Sequence, residues 1–224
     1  AFYIDITERK ELKRKKERLD EFTSIVSHDL RNPLNVAQGQ TKLARETGDW
    51  ESLDAVIRAH ERMQTLIDDL LTMARSGQQI DHVVPIALGD LADTCWLNIE
   101  TGTATLVVDT DVTIRADRTR LQQLLENLMR NSVVHGAADD GTAPTVTVGD
   151  LPDGFFVEDD GPGIPEADRE AVFGAGYSTA ENGTGFGLGI VEQVAEAHGW
   201  SVRTTEGSEG GARFEVTGVE FVEG

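Results

Sequence analysis

From Trp50 to Gly77 the residues Leu53, Val56, His60, Met63, Ile67, Leu70 and Ala74 recur at spacings of 3, 4, 3, 4, 3 and 4. This is a nearly complete a/d stripe along one helix, and a helix carrying it must cover it. Upstream, helix formers dominate from Glu8 to about Arg45, with Leu12, Leu19, Phe22 and Val26 spaced by 7, 3 and 4 among lysine, arginine and glutamate. That pattern reads as a coiled-coil lead-in. Thr47-Gly48-Asp49 breaks the first helix, and Gly77 ends the second. Two long amphipathic helices joined by a short turn form an antiparallel hairpin. A second copy covering the remaining seams gives a four-helix bundle, so a homodimer is expected.

Beyond Gly77 the texture changes to short β-type runs at Val83–Ile86, Leu106–Val108, Thr145–Val148, Phe155–Val157 and Arg213–Val216, punctuated by glycines. Helical stretches fall at about 89–98, 118–135 and 187–198. Their irregular alternation predicts an α/β sandwich rather than a strict βαβ series. The expected fold class is α+β, with the bundle-forming hairpin over residues 8–77 and the sandwich over 78–224.

Charge separates the two parts. Of 40 acidic and 20 basic side chains, residues 1–77 hold 14 and 13 and residues 78–224 hold 26 and 7. A net charge of −20 repels phosphate backbones, so no nucleic-acid partner is expected. Only five lysines occur, four of them before Leu19, and the acid-rich remainder suits a protein kept soluble at high salt. A halophilic source is the expectation. The single cysteine, Cys95, makes no internal disulfide. No apolar run approaches a membrane span and the N-terminus is not that of a signal peptide, so this segment is expected to work in the cytoplasm without membrane contact.

Four clusters carry candidate chemistry. In Ser27-His28-Asp29-Leu30-Arg31-Asn32-Pro33-Leu34, His28 and Asn32 share a helix face and Asp29 is next to the imidazole. A neutral histidine is a nucleophile, and an adjacent carboxylate can orient its ring and take its other proton. Taken alone, such a histidine is more often structural. The second cluster, Glu126-Asn127-Leu128-Met129-Arg130-Asn131-Ser132-Val133-Val134-His135, puts Asn127 and Asn131 on one side of a helix and its leucines on the other. An amide oxygen suits a magnesium ion already attached to phosphates, although two asparagines on a solvated face would look the same.

The third, Asp159-Asp160-Gly161-Pro162-Gly163, offers one carboxylate at a tight turn, able to accept from an exocyclic amine; an ordinary turn is the plain alternative. The fourth, Gly183-Thr184-Gly185-Phe186-Gly187-Leu188-Gly189, runs into a helix whose bare amides could hold phosphate. It lacks the Gly-Lys-Ser/Thr of a Walker loop and the setting of a Rossmann fingerprint.

Together and in this order the clusters resemble those of sensor histidine kinases of two-component signalling. The first resembles the phosphoacceptor box, and the others resemble the N, G1 and G2 boxes of the catalytic domain, over about residues 8–217. The resemblance implies ATP and Mg²⁺ as ligands. It makes His28 the phosphorylated residue, Asp29 its base and Asn32 the positioner of a hydrolytic water. Asn131 would hold magnesium, Asn127 would support the phosphates, and Asp159 would take the adenine amine, with Gly161 and Gly163 letting the base approach. Residues from about Pro165 to Gly183 would be the ATP lid, anchored by Phe173, with Gly183, Gly185, Gly187 and Leu188 at the phosphates. A response regulator receiver domain is the implied partner. Residues 1–10 resemble the last strand and exit of a PAS sensor domain, which implies further chain upstream and allows a membrane attachment there.

The chain departs from the family pattern at Val134, where a phosphate-binding lysine is frequent, at His135, where tyrosine is frequent, and at Ala212, where threonine is usual. No basic residue follows Arg169 in the lid, so phosphate charge falls to magnesium, Arg130, His135 or backbone amides. A clamp ATPase of the same nucleotide-binding superfamily would need a glutamate where Asn127 stands, and an amide is no general base. A non-catalytic nucleotide-sensing scaffold is opposed by the intact His28, Asp29, Asn131 and Asp159.

Overall fold

A computed structural model describes residues 30–48, 50–75, 80, 82–137, 142–174 and 185–222, with the side chains of 68–75 left aside. It divides at Leu70 and Leu71 into two units. The lead-in and the segment before Leu30 lie outside the described residues.

In the first unit, α1 spans 30–47. It stops because Gly48 adopts φ 74°, a left-handed conformation that costs glycine nothing, and its N–H donates to the Ala44 carbonyl at 2.9 Å. After the turn at Trp50 and Glu51, α2 (Ser52–Arg75) begins. On α1 the covered positions are Pro33, Ala37, Gln40 and Ala44, spaced 4, 3 and 4; on α2 they are Ser52, Ala59 and Leu66, seven apart. Small residues at Ala37 and Ala59 allow close helix approach, and burial of Leu66 alone is worth about 2 kcal/mol. Leu53, Val56 and Met63 of the expected stripe are half-buried. His60 and Ile67 are exposed, as are Leu34, Val36, Leu43 and Ile57.

In the second unit a two-stranded antiparallel pair, β1 (Val84–Ala87) with β3 (Thr113–Ala116), flanks a five-stranded mixed sheet in the order β2-β4-β5-β7-β6. Its strands are β2 (Thr105–Asp109), β4 (Thr145–Leu151), β5 (Gly154–Asp159), β6 (Ser201–Glu206) and β7 (Ala212–Thr217). Only the β2–β4 pairing is parallel. Three helices, α3 (Leu88–Leu97), α4 (Arg118–His135) and α5 (Gly187–His198), bury Leu91, Leu121, Leu124, Leu125, Leu128, Ile190 and Val194 against Val146, Val148, Phe155, Val157, Phe214 and Val216 of the sheet. The result is the expected sandwich, and the chain as a whole is α+β.

Two strands escaped the sequence reading. β3 has only four residues, and β6, Ser-Val-Arg-Thr-Thr-Glu, is a polar edge strand without an apolar run. Cys95 of α3 is fully buried, and burial first, then the Glu126 charge, pushes its thiol up to about 12. It is an inert core residue.

His198 ties α5 to the start of α4. Its Nε2 accepts from the Asp117 N–H at 3.0 Å, so the proton sits on Nδ1, which donates to the Val194 carbonyl at 2.8 Å. Trp200 stacks on the ring at 4.1 Å. Burial holds the pKa below that of free histidine, Arg120 pulls the same way, and the Val194 bond and Asp117 oppose them. The unfolded chain therefore binds the proton first, and stability falls as pH drops below about 6.5. The expected result is a steeper loss of melting temperature between pH 7.5 and 5.5 in the parent than in His198→Gln. Equal slopes would remove His198 from the account.

Candidate functional site

The end of β5 sets the site. Successive side chains of a strand point to opposite faces, so Glu158 and Asp159 part company. Asp159 is 6% exposed, and its Oδ1 accepts from the Gly161 N–H and the Ala212 N–H, both at 3.1 Å. Burial raises its carboxyl above the usual range; the Ala212 N–H, the nearby Ser132 hydroxyl and the Gly161 N–H oppose this. A desolvated carboxylate of this kind gains from one more donor, which is what an exocyclic amine supplies. On the other face Glu158 accepts from the Ser208 N–H and hydroxyl at 3.1 and 2.8 Å and pairs with Arg213 at 3.0 Å. Both carboxylates thereby fix the β6–β7 loop.

Backbone crowds around Asp159. A Cβ on Gly161 would lie 2.5 Å from the Gly136 Cα, and one on Gly163, at φ 73°, would lie 2.7 Å from the Gly210 carbonyl. A Cβ on Gly211 would overlap the Asp159 carbonyl oxygen. The motif glycines are therefore required by backbone-to-backbone packing, whatever room they also leave for a base.

A second group forms on α4. Asn127 donates through Nδ2 to the Gln123 carbonyl at 2.8 Å, which turns its Oδ1 toward α5, 3.1 Å from where a Gly187 Cβ would be; Asn131 Oδ1 is 3.7 Å from the same point. Gly185 has φ 70°, and the N-cap residue Phe186 offers no side-chain cap to the first turn of α5, which begins at Gly187, Leu188 and Gly189. The asparagines and the glycine run thus converge on one helix N-terminus, where backbone N–H groups and amide oxygens suit a phosphate with a hydrated magnesium ion. Among the described residues no group of three or more His, Cys, Asp or Glu could hold a metal unaided.

Arg130 and Val134 are exposed. His135 is also exposed, yet enough protein surrounds its ring to hold its pKa below that of free histidine, against the opposing charge of Asp159. Arg169 is committed elsewhere, donating from Nε to the Ile164 carbonyl at 3.0 Å with Glu206 3.7 Å away. Phe173 is buried edge-on against Phe214 at 6.5 Å. Gly183, His28 and Asp29 lie outside the described residues, and Asn32 is exposed on α1 of the first unit. Sequence reasoning assigned nothing to Ser132 and Gly136, which the fold places beside Asp159. The only signal was their position within the helix-ending run.

Residues 116–219 match the family of histidine kinase-, DNA gyrase B- and HSP90-like ATPases, which groups kinases with clamp ATPases. Residues 18–79 match the His Kinase A phosphoacceptor domain. The chain belongs to the sensor histidine kinases. Curated relatives of this kinase segment include the methanogenesis regulatory histidine kinase FilI of Methanothrix harundinacea, 30% identical over 84% of this chain and 23% of FilI. The sensor protein QseC of Escherichia coli is 31% identical over 88% of this chain and 46% of QseC. The chain thus spans less than half the length of these relatives. Among solved structures, Acinetobacter baumannii AdeS shares the fold, with TM-score 0.67, 18% identity and coverage of 88% of this chain and 98% of AdeS. Full-length ShkA in complex with AMPPNP has TM-score 0.59 and 26% identity over 92% of this chain and 47% of ShkA. The second unit is accordingly an ATP-binding domain, and no described helix is long and apolar enough to cross a membrane.

Proposed function

We propose that the chain is the transmitter segment of a kinase that phosphorylates its own His28 from ATP and passes the phosphoryl group to an aspartate of a response regulator receiver domain. The observation that carries this is the pairing of a phosphoacceptor domain containing His28 with a unit in which Asn127 and Asn131 meet the α5 N-terminus near Asp159. The AMPPNP bound by ShkA favours the same nucleotide class. Asp159 receives the adenine amine. Asn127, the amides of Gly185, Gly187 and Leu188, the Arg130 guanidinium and the His135 ring serve the phosphates. Asn131 is the side chain that would hold magnesium, which when bound offsets phosphate charge. The neutral His28 nitrogen attacks the γ-phosphorus, the bond to the ADP oxygen breaks, and Asp29 takes the ring proton from the other nitrogen. Catalysis is then mainly positioning and charge neutralisation. Asn32 would hold a water for hydrolysis of the regulator's phosphoaspartate.

The exposed Leu34, Val36, Leu43, Ile57 and Ile67 support a homodimer in which a second hairpin covers them. Water attack on ATP, the clamp-ATPase reading, is disfavoured because Asn127 is an amide already engaged with Gln123. The PAS-like exit over residues 1–10 rests on sequence alone and lies outside the described residues. Work in the cytoplasm follows from the need for ATP.

Incubation with labelled ATP and magnesium, then acid or base treatment, tests the proposal: the label should be lost in acid and survive base. Label stable to acid would place it on another residue. The acidity of residues 78–224 further supports a high-salt origin. Thermal stability should rise from low salt to molar KCl, where the Debye length shrinks to about 3 Å; equal stability would end that inference.

A further inference from the structure

Serine and threonine within helices commonly return their hydroxyl to the carbonyl one turn back. Thr41, Thr47, Thr65 and Thr94 all do so, at 2.7 to 3.1 Å. Ser132 of α4 does not. It is 1% exposed, its Oγ is fully shielded and engaged in no hydrogen bond of ordinary geometry, and it lies close enough to Asp159 to favour the ionised carboxyl. A buried hydroxyl left in this state carries a desolvation penalty that a ligand can relieve.

The neighbouring groups show what that ligand lacks. Asp159 Oδ1 already accepts two backbone N–H groups, and an ionised carboxylate donates nothing. Adenine presents a donor, its 6-amino group, beside an acceptor, N1. A carboxylate alone satisfies the first and leaves the second buried without a partner. Ser132 is the donor at hand on the same side of the site.

Resting on the ATP site proposed above, we infer that Ser132 is a nucleobase-recognition residue, its hydroxyl donating to adenine N1, directly or across one water, while Asp159 accepts from the 6-amino group. The pair then reads both halves of the purine edge. Alanine at 132 removes the donor without adding bulk, in a helix that favours alanine.

The test compares ADP with 1-deaza-ADP, in which a C–H replaces N1, on the full chain and on Ser132→Ala by calorimetry with magnesium. The parent should bind ADP about tenfold more tightly than the deaza analogue, and Ser132→Ala should bind the two within about twofold of each other. The same ADP preference in both proteins, or none in the parent, would overturn the inference. So would parallel weakening of both ligands in Ser132→Ala with the preference intact, since a purely structural role acts on both alike. A parent chain that binds neither nucleotide would instead overturn the ATP site itself.

Discussion

His28→Ala should reduce labelling from ATP to background and leave nucleotide binding at the parent level. The nucleophile is a ring nitrogen that alanine lacks, whereas the residues that would hold ATP belong to another unit of the chain. Asn131→Ala fails differently. Its amide oxygen is turned toward the first turn of α5, and its loss should weaken magnesium-dependent ATP binding by roughly tenfold or more and labelling with it. Two assays, filter labelling and calorimetry, separate the variants. Label retained in His28→Ala would move the acceptor elsewhere, and unchanged magnesium dependence in Asn131→Ala would release that residue from its role.

Gly211→Ala should destabilise the ATP-binding unit by about 3 kcal/mol and lower its melting temperature by about 10 °C. The new methyl group would overlap the Asp159 carbonyl oxygen and approach Asp159 Oδ1 to 2.7 Å. Backbone cannot swing away as a flexible side chain can, so the strain must shift Ala212, whose N–H is one of the donors to that carboxylate. ADP affinity should fall together with stability. Gly39→Ala is the control: nothing lies within 4 Å of that Cβ, and it sits inside α1, where alanine is favoured. Equal melting temperatures for the parent and Gly211→Ala would show that the loop relaxes freely.

Helices over about 118–135 and 187–198 were legible in the sequence, and in the structure Asp117 caps the start of the one while Gly199, in the left-handed region, ends the other. Strands with buried valine or phenylalanine were legible in place and short by two or three residues. β6 was not, since an edge strand facing water carries no apolar signature. The stripe on α2 had the right period: Leu53, Val56 and Met63 are half-buried, next to the buried Ser52, Ala59 and Leu66. Within the site, Asp159, Asn127 and Asn131 were legible as residue types at telling offsets. The convergence on Gly187, the orphan hydroxyl of Ser132 and the contact of Gly136 with Gly161 arise from pieces far apart in the chain.

Glu158 and Asp159 hold the β6–β7 loop from opposite faces of one strand. The sheet is therefore not insulated. On most domains the solvent side of a sheet tolerates exchange of one charged residue for another. Here Glu158, Ser208 and Arg213 are joined to the Asp159 carboxylate through a single peptide unit and a loop of a few residues. Glu158 is itself buried and Arg213 half-buried, so exchange of either charge should be felt as a change in nucleotide affinity.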